Sequence, residues 1–220
     1  MRPDRRRGTG IAGAAVAATG LLALGVGLAG CGDDGPAPRP ATVETARNGD
    51  VFNSADVAFA TAMIPHHAQA LRMALLAEDR PLEPELSAVV ARIQDVQVPE
   101  VETMATWLTA WGKDVPATSM DHANAGHDAG AAGDPDDDVP GHDLPGMMSA
   151  ARMAELARSS DADFAGHWLA MMIEHHEGAI ALSETQRADG RFADAVALAG
   201  TIAEDLAEEV ATLEELLGRR

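Results

Sequence analysis

Residues 63 to 70 read MIPHHAQA and residues 171 to 179 read MMIEHHEGA, and this likeness belongs to a duplication that runs through much of the chain. Met63, Ile64, His66, His67 and Ala70 each stand 109 positions before Met172, Ile173, His175, His176 and Ala179. Ile93, Glu100, Val101 and Thr103 stand the same distance before Ile202, Glu209, Val210 and Thr212, so the halves align without a gap. Each half carries helical periodicity in two runs separated by a turn. A helical hairpin cannot bury its apolar face alone, so two copies packed as a four-helix bundle are the expected solution.

The pattern places the first helix from Ser54, taken as its N-cap, to about residue 78. Pro81 and Pro84 mark a turn, and a second helix runs through Leu86, Val90, Ile93, Met104 and Trp107 to Trp111, ended by Gly112. Residues 113 to 148 lose the apolar period and read as a long acidic linker rich in Gly, Pro and Asp, including GDPDDDVPG. A short helical segment over residues 149 to 158 precedes a long helix over about 161 to 187 and a last one over about 192 to 217. The fold class is all-α, with a bundle domain at 54 to 217 made of hairpins at 54 to 112 and 149 to 217. The order of the helices is open between an up-down-up-down arrangement and one in which the linker crosses over.

The first thirty residues stand apart. MRPDRRRG is basic and IAGAAVAATGLLALGVGLAG is apolar, the pattern of an export signal. The signal closes on Leu28, Ala29, Gly30 and Cys31, which resembles a bacterial lipoprotein signal, so Cys31 is the expected lipid attachment site and the remainder lies on the extracytoplasmic face. A plain N-terminal membrane anchor is the alternative, with the same location. Residues 31 to 53, which include GDDGPAPRPATVETARNGD, read as a flexible tether. Cys31 is the single cysteine, so the folded part has no thiolate ligand and any soft donor must be Met. Without residues 1 to 30, which hold four Arg and one Asp, the net charge moves from −19 to −22. That balance excludes nucleic acid as an expected partner and favours cations.

On a helix, positions three and four apart share a face, so Met63 lies near His66 and His67, and Met172 near His175 and His176. Met63 and Glu100 are nearly equidistant from the turn at Pro81, which brings them to one level, and Glu209 does the same in the second half. Glu100 and Glu209 fall on apolar stripes, where an ionised carboxylate is expensive without a partner. Met63, His66, His67, Glu100, Met172, His175, His176 and Glu209 are therefore the expected metal-binding set. Met104, Glu177 and the linker residues His122, His127, His142, Met147 and Met148 are secondary candidates. Pro65 and Pro99 are each expected to interrupt a helix beside this set. The simpler alternative has one histidine of each pair facing the core, bonded to the opposing Glu, with its neighbour in water and Met filling space.

Ligand chemistry narrows the metal. No Glu-x-x-His, the signature of carboxylate-bridged di-iron bundles, occurs in the chain. The soft thioethers at Met63 and Met172 shift preference from iron toward copper, Cu(I) above all, with zinc or iron as alternatives. Protons compete for imidazole, so affinity is expected to fall as pH drops through the unperturbed value of about 6.5. There is no phosphate-binding Gly-rich loop and no nucleophile elbow. Glu174 and Glu177 beside the second histidine pair leave a di-metal redox enzyme as a second reading, and an interaction scaffold with core histidines is a third.

MIPHHAQA, followed by Gln97-x-Pro99-Glu100-Val101-x-x-Met104-x-x-Trp107, then Gly146-Met147-Met148 and MMIEHHEGAIAL, resembles the exported bacterial family called domain of unknown function 305, over about residues 54 to 217. The resemblance implies a ferritin-like bundle and, through members similar to periplasmic copper-binding proteins, copper held by Met and His. In the last helix Leu206 stands where the family pattern has Gln and Leu213 where it has Met, which implies a weaker second half-site.

Overall fold

The computed structural model describes residues 42 to 118 and 144 to 220. The expected signal, Cys31, His122, His127 and His142 lie outside them. Within them the chain forms a two-stranded ribbon, β1 (Val43–Thr45) and β2 (Val51–Asn53), and five helices. These are α1 (Ser54–Glu78), α2 (Pro84–Trp111), α3 (Ala150–Arg158), α4 (Asp161–Asp189) and α5 (Ala193–Gly218).

The ribbon corrects the expectation of a flexible tether through residue 53. Its strands pair antiparallel, Val43 opposite Asn53, around a turn at Asn48 and Gly49, and Gly49 has φ of 96°. Asn-Gly is the sequence signal of a tight hairpin, and the ribbon is held because Phe52 stacks on Trp111 at 4.5 Å while Trp111 Nε1 donates to Asp50.

Asn53, not Ser54, caps α1. Its side chain accepts from the amides of Ala55 and Asp56, and the Asp56 carboxylate accepts from the Asn53 amide, a reciprocal capping box. Asp56 is fully buried and also accepts from Gln186 Nε2 and from the amides of Arg191 and Phe192. One carboxylate thus closes the start of α1 and the α4–α5 turn together. Both internal prolines sit within unbroken helices, so the expected interruptions at Pro65 and Pro99 do not occur. A proline removes one intrahelical hydrogen bond; Pro65 is buried in packing that holds α1 through it, whereas Pro99 is exposed on α2.

Two hydrophobic clusters define the helix directions. The first joins Met73 and Ala77 late in α1 to Leu86 and Ile93 early in α2, Phe164 and Trp168 early in α4, and Leu213 and Leu216 late in α5. The second joins Phe59 and Ile64 early in α1 to Met104 and Leu108 late in α2, Ala179 late in α4, and Ala199 and Ile202 early in α5. Helix α1 therefore runs antiparallel to α2 and α4, while α2 and α4 point the same way. These helix directions decide the topology in favour of a crossover rather than up-down-up-down. A 28-residue helix spans about 42 Å at 1.5 Å per residue, a length that about 13 extended residues cover. The α1–α4 and α2–α5 neighbours are equivalent by repeat, so a pseudo-two-fold axis crosses the bundle at mid-height.

Candidate metal centre

The polar layer lies between the two clusters. All four histidines of the repeated pairs are buried, His66 and His176 completely. Residues 63 to 68 are buried without a break, because α1 is covered by α2, by α4 and by residues 144 to 148. The alternative with one histidine of each pair in water is overturned, although its hydrogen bonds to Glu exist.

The repeat equivalents form matching pairs. His67 Nε2 lies 2.8 Å from Glu100 Oε2, and His176 Nε2 lies 3.1 Å from Glu209 Oε2. His66 and His175 meet across the pseudo-axis with ring centroids 4.0 Å apart. Met63 and Met172 are both fully buried, Met63 in the second cluster and Met172 in the first, so one thioether-bearing side chain lies to each side of the imidazole layer.

Hydrogen bonding sets the tautomers. An ionised carboxylate only accepts, so Nε2 of His67 and of His176 donates to its Glu. His66 Nε2 lies 2.9 Å from the Pro145 carbonyl, which also only accepts, so it too carries the proton. In the neutral rings the Nδ1 atoms of His66, His67 and His176 are lone pairs, and each is buried with no partner, as are both ring nitrogens of His175. Each such orphan costs about 1 to 3 kcal/mol when left unmet, so their concentration in one layer fits a bound electrophile better than a purely structural core. A ligating imidazole commonly has its far nitrogen fixed by a carboxylate or carbonyl in this way.

Burial lowers the His66 imidazole from 6.5 to about 3, opposed by the Pro145 carbonyl and aided by the charges of His67 and His176. His175 is pushed well below its ordinary value by burial first and by the charges of His66, His176 and His67. Both are neutral and competent to bind a cation far below the pH at which free histidine protonates.

Residues 144 to 148 contradict their expected place in the linker. They form a strap over α1 and α4, with the Met148 amide and carbonyl both held by the Gln69 side chain at 2.7 and 2.8 Å. Gly178, the repeat equivalent of Gln69, lets the strap approach α4, since a Cβ there would collide with the Pro145 carbonyl and lie 2.6 Å from Gly146 Cα. Gly146 is itself at φ 77° against the backbone of Glu174 and His175. Met148 is buried in the first cluster and Met147 is half-buried. A glycine inside a helix costs about 1 kcal/mol relative to alanine, and Gly178 was the sequence signal for this contact.

Other expected residues fall elsewhere. Met104 is buried in the second cluster. Glu177 is exposed, and Glu174 is exposed and paired with Arg152 at 2.8 Å, so neither reaches the imidazole layer. Among the described residues no three His, Cys, Asp or Glu side chains converge as a ligand cage.

The family model for Domain of unknown function (DUF305) matches residues 56 to 217. The chain belongs to that family. Among solved structures, the DUF305 bundle resembles a DUF305 protein of Streptomyces coelicolor, with TM-score 0.61 and 22% identity over 76% of this chain and 93% of that one. A DUF305 fragment from Deinococcus radiodurans matches with TM-score 0.60 and 27% identity over 83% and 100%. CopM in its Cu(I)-bound form matches with TM-score 0.56 and 22% identity over 74% and 96%, and CopM has also been solved in Cu(II)-bound and Ag-bound forms. No curated protein matches this DUF305 chain.

Proposed function

We propose that this DUF305 protein binds a soft metal ion in its histidine layer, Cu(I) foremost, and sequesters it or hands it on. The observation that carries the reading is the set of buried, unpartnered imidazole nitrogens whose tautomers are set by Glu100, Glu209 and the Pro145 carbonyl. His66, His67, His175 and His176 supply nitrogen and Met63 and Met172 supply sulfur, while Glu100 and Glu209 orient imidazoles. Low coordination with mixed N and S donors suits Cu(I) better than zinc or iron. Structural likeness to CopM, solved with copper and silver, supports the same chemistry. Competitive titration with Cu(I) and Ag(I) tests it: the quadruple alanine variant at the four histidines should lose affinity by two orders of magnitude or more, about 3 kcal/mol. Equal affinity in that variant would return the layer to a structural role.

The location proposed with this function is extracytoplasmic, with the mature chain anchored by lipid on Cys31. Among the described residues no helix is long and apolar enough to cross a membrane. Mass spectrometry of the processed N-terminus in a bacterial host should find diacylglycerol on Cys31, and release into the soluble fraction on Cys31→Ala.

A further inference from the structure

Opposite the strap, α2 and α5 leave a narrow groove lined by Arg92, Val96, Gln97, Glu100, Asp205, Leu206 and Glu209, among others. Its floor holds two buried oxygen acceptors with no partner, Gln97 Oε1 and Glu209 Oε1, on side chains 2% and 8% exposed. Gln97 is one of the positions at which the repeat is broken, its equivalent being Leu206, so the oxygen is not a by-product of the duplication. The same groove reaches the outer oxygens of the pairs that end on His67 and His176. On the other side of the layer the strap lies against α4 backbone too closely to admit even a Cβ at Gly178.

We propose that this groove is a separate cation subsite of oxygen donors, an outer station through which a borderline divalent ion such as Cu(II) or Zn(II) passes between solvent and the histidine layer. The proposal rests on the reading of that layer as a metal centre. Carboxylate and amide oxygens prefer harder cations than the imidazole and thioether donors inside. Asp205 attracts a cation to the mouth and Arg92 repels it, so the two charges make opposite predictions. Gln97 Oε1 and Glu209 Oε1 then receive the ion, each trading an unpaired buried acceptor for a contact.

Stopped-flow mixing of the full chain with Cu(II), followed by tryptophan fluorescence, tests this at low and high salt. Asp205→Asn and Gln97→Leu should each slow association about 3- to 10-fold, and Arg92→Gln should speed it about twofold, with the Asp205 and Arg92 effects shrinking at high salt. Gln97→Leu installs the residue its repeat equivalent already carries, so folding is expected to survive, and a thermal melt checks it. Equilibrium titration with Ag(I), a soft ion that the oxygen station does not select, should remain within about twofold for all three variants. Unchanged Cu(II) rates, or a failure of the wild type to take up Cu(II) at all, with Ag(I) binding intact, would overturn the groove while leaving the histidine centre standing. Loss of Ag(I) binding in the wild type would instead remove the metal-centre reading itself.

Discussion

Four imidazoles in one buried layer make the stability of the metal-free protein depend on pH through two of them above all. His66 and His175 have folded pKa values below their unfolded ones, so the native state binds fewer protons than the unfolded chain. Their contribution is complete above the unfolded value of about 6.5 and is lost as pH falls toward about 3 for His66. Each costs about 1.4 kcal/mol per pH unit in that window. Urea unfolding at about pH 7 and about pH 5 should show this slope, and His66→Leu/His175→Leu should flatten it; an equal slope in the double variant would contradict the assignment.

At the scale of elements, two contacts carry predictions. Asp56 joins the start of α1 to the α4–α5 turn by accepting from Asn53, Gln186, Arg191 and Phe192. Asp56→Ala leaves these donors buried and unpaired, and a loss of about 3 to 5 kcal/mol is expected in denaturant melts, with Asp56→Asn losing less. The strap is held by different means. Gly178→Ala places a methyl group against the Pro145 carbonyl, which is backbone and cannot rotate away. The expected cost is about 1 to 3 kcal/mol together with faster proteolysis near residue 145. A variant as stable and as resistant as wild type would show that the strap lies elsewhere. Asn53 and Asp56 were readable as a capping box, but Ser54 beside them offered an N-cap of its own; Asn48-Gly49 was readable as a hairpin turn, but it closed a Pro- and Gly-rich stretch whose composition pointed to a tether.

The proposed donors come from both hairpins, so an ion held between them would stabilise the native state and not the unfolded chain. At a hundredfold excess over its dissociation constant the gain is about 2.7 kcal/mol. For a chain of this size that is a rise in melting temperature of about 5 to 10 °C, which calorimetry with and without Ag(I) should detect. His66→Ala combined with His175→Ala should abolish most of it, because these rings meet at the pseudo-axis.

The amino-acid sequence by itself determined the duplication, the extents of the long helices and the level at which the histidine pairs meet, because apolar periodicity and repeat spacing are local properties that survive without knowledge of packing. It also carried the Glu partners, since Glu100 and Glu209 interrupt apolar stripes at matched heights. Tertiary structure alone decided the crossover, which depends on which helix ends share a cluster. It decided that both histidines of each pair are buried, because the second face of α1 is covered by the strap, a segment distant in sequence and acidic in its surroundings. It decided the tautomers as well, since the acceptor that a ring nitrogen meets in space selects which nitrogen carries the proton: the carbonyl of Pro145 stands 79 residues from His66, and no periodicity reports a contact at that range.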